Sequence, residues 1–190
     1  MMLLAALGRL DAGALARETA LVLGGAAVLA LAAKVQVPFW PVPMTLHTLA
    51  VMGFAVALGP RRAVAIFLAY LAAGAAGLPV FSGSPERGIG IAYMVGPTGG
   101  YLAGYLVASW LVGALAAGRG VFGALGAMLA GLAVVYAFGL AWLALYVPSA
   151  KLLAAGLVPF LLGDLVKIAM VALAAAALPP LLNRLMGGIR

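Results

Sequence analysis

VFGALGAMLAGLAVVYAFGLAWLALYV, residues 121–147, contains no charged side chain and no proline. A helix needs about 20 apolar residues to cross the hydrocarbon core of a bilayer, and this stretch exceeds that length. The bias is not local. Of 190 residues, 67% are hydrophobic and 8% charged, with 11 Lys+Arg, 4 Asp+Glu and 1 His. A soluble domain carries roughly 25% charged residues to wet its surface. This chain cannot coat a water-soluble globule and reads as an integral membrane protein.

Working outward, helix breakers divide the chain. Gly118-Arg119-Gly120 and Pro148 of VPSAK bound the central stretch. Toward the N-terminus lie Gly96-Pro97 in GPTGG, Pro79 opening LPVFSGSPERGIG, Gly59-Pro60-Arg61-Arg62, and Pro38, Pro41 and Pro43 of VPFWPVP. Toward the C-terminus, Pro159 sits near the start of the last run and Pro179-Pro180 closes it. The spans between them are 17–36, 44–59, 61–78, 98–117, 121–147 and 157–178. Backbone polar groups in lipid must be satisfied within the segment, and the many Gly and Ala argue against a barrel. The expected fold is all-α, a single transmembrane domain over 1–190 formed by a bundle of six transmembrane helices.

Loop charges orient the bundle. With the N-terminus inside, the inner face holds Arg9, Arg17, Arg61, Arg62, Arg119, Arg184 and Arg190 against Lys34, Arg87 and Lys151 outside. Both termini are therefore expected to be cytoplasmic. No cleavable signal peptide is evident, because Arg9, Asp11, Arg17 and Glu18 interrupt the first segment. Small residues recur every four positions at Gly100, Gly104 and Ala108 and at Gly123, Ala127 and Gly131, the pattern of close helix packing. Ala26 and Ala30 form a weaker stripe that packs internally or faces a partner protein.

Composition also removes functions. Without cysteine there is no disulfide, thiolate nucleophile or thiolate metal site, and one His excludes an H-E-x-x-H protease. No P-loop and no G-x-S-x-G are present. The +7 charge is accounted for by helix ends rather than nucleic-acid binding, because its only local cluster is Arg61-Arg62.

Against that background, Gly163-Asp164-Leu165-Val166-Lys167 stands out. A charge at the centre of a membrane helix costs about 2.5–3.5 kcal/mol on insertion scales, and Asp164 and Lys167, spaced i, i+3, share one face. They form either a structural ion pair or a ligand site. A second candidate is the long loop from Pro79 to Gly100, where Thr98 can cap the following helix and leave the Gly99 and Gly100 amides free for an anion or carbonyl. A third is VPFWPVPMTLHT, with Phe39 and Trp40 as bilayer anchors or pocket wall, and with Thr45, His47 and Thr48 polar at the start of a span.

VPMTLHTLAVMGFAVALGPRR, LAAGAAGLPVFSG, AYMVGPTGGYLAGY and GDLVKI, in this order, resemble the BioY family over about residues 35–175. His47 departs from the Gln of that family's VPxTxQT pattern. The resemblance implies a six-helix S component of an energy-coupling factor transporter that captures biotin from outside. It would work with a transmembrane T component and cytoplasmic ATPase subunits in the inner (plasma) membrane, with no cofactor of its own. It also implies that Ala26 and Ala30 contact the T component, with Ala20 and Gly24 as a competing register. Biotin offers ureido N–H donors, a ureido oxygen, an apolar ring and a carboxylate. Asp164 suits the donors, Lys167 suits the oxygen or the carboxylate, and the Gly99 and Gly100 amides are another candidate for the carboxylate. Phe39, Trp40, Phe81 and Tyr93 would wall the rings. Two other readings remain at this stage: a stand-alone secondary transporter coupled through Asp164, and a lipid-modifying enzyme, for which no nucleophile, metal site or carboxylate pair is present.

Overall fold

A computed structural model describes the backbone of residues 12–37 and 44–187, with side chains through residue 177. Helix α1 (Ala12–Lys34) leads into a two-residue antiparallel ladder, β1 (Gln36–Val37) with β2 (Met44–Thr45), pairing Gln36 with Thr45 and Val37 with Met44. Then follow α2 (His47–Ala75), the short α3 (Gly90–Met94), α4 (Gly99–Ala116), α5 (Val121–Leu143), the short α6 (Ser149–Gly156) and α7 (Val158–Gly187). The fold is mostly helical, and the two-residue ladder pins the two ends of the first loop. Among the described residues, five stretches are long and apolar enough to cross a membrane.

The expected spans 44–59 and 61–78 arrive as the single element α2, interrupted at Gly59, whose φ of 76° and ψ of 177° leave helical space. Pro60 follows, with no N–H to continue the ladder. Yet the His47 and Tyr70 ring centroids lie 5.2 Å apart. A straight helix would separate those residues by roughly 35 Å at 1.5 Å per residue. The element therefore doubles back at Gly59 into two limbs, 47–58 and 60–75. Gly113 of α4 packs into the bend, where a Cβ would stand 2.6 Å from the Pro60 nitrogen. Just past it, the Arg62 Nε donates to Glu18 Oε2 at 3.0 Å, joining the N-terminal part of α1 to the bend.

Packing follows the small residues. α4 lies against α5 and α2, α1 against α2, and α7 against α2 and α5. A Cβ at Gly104 would lie 2.8 Å from the Val135 Cα, and one at Gly131 would lie 2.4 Å from Val112 Cγ2, so the α4–α5 backbones are close at both stripes. Gly123 is different, and the atoms nearest a Cβ there belong to the Arg119 side chain of the preceding turn. One apolar cluster, including Met52, Val112, Met128 and Ile168, fills the space among α2, α4, α5 and α7. A second, including Leu29, Ile66, Phe67, Tyr70 and Phe81, joins α1, α2 and the loop before α3.

Candidate functional site

Between the ladder end of α1, the start and end of α2, the 76–98 loop, and the facing sides of α4, α5 and α7 lies a cavity of about 370 Å³. Ligand pockets of this size are mostly apolar with a few placed polar groups, and this one follows that pattern. Phe81 stacks on Tyr93 at 4.7 Å and 14° and meets Tyr70 edge-on at 5.4 Å, forming a wall of three rings. The Tyr93 hydroxyl donates to the Ser82 carbonyl at 2.8 Å, fixing the stack within its own loop.

The polar end is built from α7 and α5. Asp164 and Lys167 are 4% and 7% exposed, and both line the cavity. The Lys167 Nζ donates to Asp164 Oδ1 at 2.9 Å, and the Tyr136 hydroxyl donates to Oδ2 at 2.7 Å. The pair is therefore both an internal ion pair and part of the cavity wall. Nearby, Thr48 Oγ1 and the Tyr105 hydroxyl share a hydrogen bond at 2.6 Å. The Tyr101 hydroxyl donates to the Gly156 carbonyl at 2.7 Å, holding the α6–α7 joint against α4.

The 76–98 loop covers one side and is held at two places. The Lys34 Nζ donates to Ser84 Oγ at 3.0 Å and to the Ser84 carbonyl. At the far end Trp142 Nε1 donates to the Gly96 carbonyl at 2.9 Å, and the Tyr146 hydroxyl donates to the Val95 carbonyl. Gly83, with φ 71° and no side chain, leaves room for the Arg87 side chain, and Arg87, an exposed residue, is among those that line the cavity.

Of the residues expected from sequence, Asp164, Lys167, Tyr93, Thr98, Phe81, His47 and Thr45 line this one cavity. Gly99 and Gly100 do not. They face a groove against α5, where a Cβ on Gly100 would lie 2.3 Å from the Trp142 Cβ. The Gly99 N–H already donates to the Gly96 carbonyl at 3.0 Å, and Thr98 makes no side-chain cap bond. Close packing therefore accounts for these glycines, Gly100 against α5 and Gly99 against the Met94 carbonyl, which would stand 2.1 Å from a Cβ there. Phe39 and Trp40 lie outside the described residues. His47 is enclosed by the rings of Phe67, Tyr70 and Tyr105, at 5.9, 5.2 and 5.1 Å. Neither ring nitrogen has a hydrogen-bond partner among the described residues, although the Leu29 backbone carbonyl bears on the ring. Ala26 is 8% exposed and packed in the α1–α2 core, with Ala30 packed beside it, so this face is occupied within the chain. On the opposite side Ala20 and Gly24 are exposed, and nothing stands within 4 Å of a Cβ placed on Gly24. Sequence reasoning missed Tyr136, Tyr105, Tyr101 and Arg87 as site residues.

These features define a multi-pass helical membrane protein with a ligand-sized chamber among its helices. The chain belongs to the BioY family, whose sequence profile matches residues 5–184. It is 37% identical over 154 residues to the probable biotin transporter BioY of Pyrococcus horikoshii, covering 81% of this chain and 91% of that one. It is 37% identical over 157 residues to the biotin transporter BioY of Thermotoga maritima, covering 82% and 91%. A crystal structure of the S-component for biotin from an ECF-type ABC transporter superposes with a TM-score of 0.74 at 25% identity, covering 90% of this chain and 95% of that one.

Proposed function

We propose that this chain is the substrate-binding subunit of a biotin importer, with biotin seated in the chamber that Asp164 and Lys167 close. The observation that carries the reading is a buried, hydrogen-bonded acid–lysine pair exposed to a ligand-sized cavity in a chain of the BioY family. The chamber separates its polar groups by chemistry. Asp164 accepts from the ureido N–H groups, Lys167 donates to the ureido oxygen, and the three-ring wall covers the bicycle. Arg87 stands on the solvent side, where a bidentate guanidinium suits the tail carboxylate. The role is transport rather than catalysis, and ATP is used only by partner subunits.

The two limbs of α2 are read as separate crossings, which makes a bundle of six with both termini cytoplasmic. The doubling back at Gly59 and the basic residues near it, Arg61, Arg62 and Arg17, support that orientation in the inner (plasma) membrane. The chamber then opens outward, at the end of α1 that carries Lys34.

A T component and a pair of ATPases complete the importer. Because the Ala26 face is occupied, the exposed Ala20–Gly24 register of α1 is the surface offered to the T component, where small residues allow close helix approach. Replacing Gly24 with Leu is expected to reduce co-purification of the T component several-fold while biotin affinity stays within about twofold of wild type. Pull-down and titration on the same preparation check both. The function itself is tested by native mass spectrometry of protein purified in mild detergent from biotin-containing medium. Bound biotin is the expected result, and a chain that neither retains nor titrates with biotin overturns the reading. Proteoliposomes holding this chain alone, set beside the full complex, separate ATP-driven import from stand-alone transport.

A further inference from the structure

The Asp164 carboxylate is held by two donors of different character. Lys167 lies on the same helix, at the end of a flexible stem, and bonds Oδ1; Tyr136 comes from α5, on a rigid ring, and bonds Oδ2 at 2.7 Å. A ligand with a donor and an acceptor side by side, as a cyclic urea has, competes for both members of the ion pair. The lysine can leave Oδ1 to reach the ligand's oxygen, because its ammonium is carried on a flexible four-carbon stem. Once it does, Asp164 needs another donor to keep it in register, and the phenol remains. Tyr136 is 8% exposed and packed within the α2–α4–α5–α7 core, so its hydroxyl has little freedom to follow the ligand.

We infer that Tyr136 is a positioning residue, one that fixes the Asp164 carboxylate in the orientation that accepts the ligand's N–H while Lys167 transfers from Asp164 to the ligand's oxygen. This rests on the assignment of biotin to the chamber. It adds a division of labour within the cluster: one mobile donor shared with the ligand and one fixed donor that is not.

The test is a double-mutant cycle of Tyr136→Phe and Asp164→Asn, with biotin affinity measured by titration. Tyr136→Phe is expected to weaken biotin about tenfold, the scale of losing a hydrogen bond to a charged group. In the Asp164→Asn background the same change is expected to cost less than about twofold, because no carboxylate remains to be held. A purely structural tyrosine would cost the same in both backgrounds, which overturns the inference, as does an unchanged affinity for Tyr136→Phe alone. If Asp164→Asn itself leaves affinity unchanged, the placement of biotin against Asp164 has failed, a result distinct from failure of the positioning role. Infrared difference spectroscopy gives a second readout, independent of the stability of Tyr136→Phe. With only 4 Asp+Glu in the chain, the Asp164 carboxylate band can be isolated by subtracting the Asp164→Asn spectrum. In the wild type that band is expected to shift on adding biotin while keeping the signature of a phenol donor; a band that loses that signature overturns the inference.

Discussion

Replacing Asp164 with Asn is expected to weaken biotin binding by about 10–100-fold, the equivalent of roughly 1.5–3 kcal/mol for hydrogen bonds to a charged group. The same side chain also compensates the buried Lys167 charge, so the binding loss alone would not separate the two roles. Asp164→Leu removes the counter-charge from a lysine that is 7% exposed. Breaking a buried pair from one side typically costs about 3–5 kcal/mol, whereas replacing both partners by apolar groups is often neutral or stabilising. The informative variant is therefore Asp164→Leu/Lys167→Met/Tyr136→Phe, in which no charge or hydroxyl of the cluster is left without a partner. It is expected to melt in detergent at or above the wild-type temperature and to bind no measurable biotin. Melting and titration curves on that protein check this. Retained biotin binding would mean that the cluster only holds α5 to α7.

Lipid blurs some sequence signals and sharpens others. Asp164 and Lys167 were legible because a charge in an apolar run has few places to go, and i, i+3 spacing put them on one face. Tyr136 was not. It sits in a run of Ala, Val and Leu, and its partner is 28 residues further on, across the α5–α7 contact, with no local pattern to mark it. The two faces of α1 were hard to tell apart for a related reason. Lipid tails are as apolar as leucine, so protein-facing and lipid-facing alanines carry the same hydropathy. Only the fold distinguishes Ala26, packed near Ile66 and Phe67, from the open Gly24. Breakers were read well at Gly59-Pro60, where the chain does reverse. The β1–β2 ladder is too short to leave a period-two pattern. Gly99 and Gly100 satisfied two readings at once, since the bare backbone that admits a ligand also admits a helix.

That ambiguity makes Gly100 a strong test of the packing. A Cβ there would lie 2.3 Å from the Trp142 Cβ and 2.4 Å from the Phe138 carbonyl oxygen. One of those atoms belongs to the backbone and the other to the root of a side chain, so neither can swing away, and α4 and α5 must separate. Overpacking by a methylene or two typically costs about 1–3 kcal/mol, and the upper end applies where backbone must move. Separation also reaches the chamber. Trp142 holds the Gly96 carbonyl at 2.9 Å, and Pro97 and Thr98, immediately beyond, line the cavity. Gly100→Val is therefore expected to lower the melting temperature markedly and to weaken biotin binding together with it, although no atom of Gly100 faces the chamber. Gly24→Ala is the control, because a methyl group there meets nothing within 4 Å. Relief of glycine's conformational entropy should then raise stability by about 0.5–1 kcal/mol. Thermal unfolding of the two variants beside wild type decides the matter. If Gly100→Val melts like Gly24→Ala, α4 and α5 are not in contact at this level, and the loop end held by Trp142 needs a different explanation.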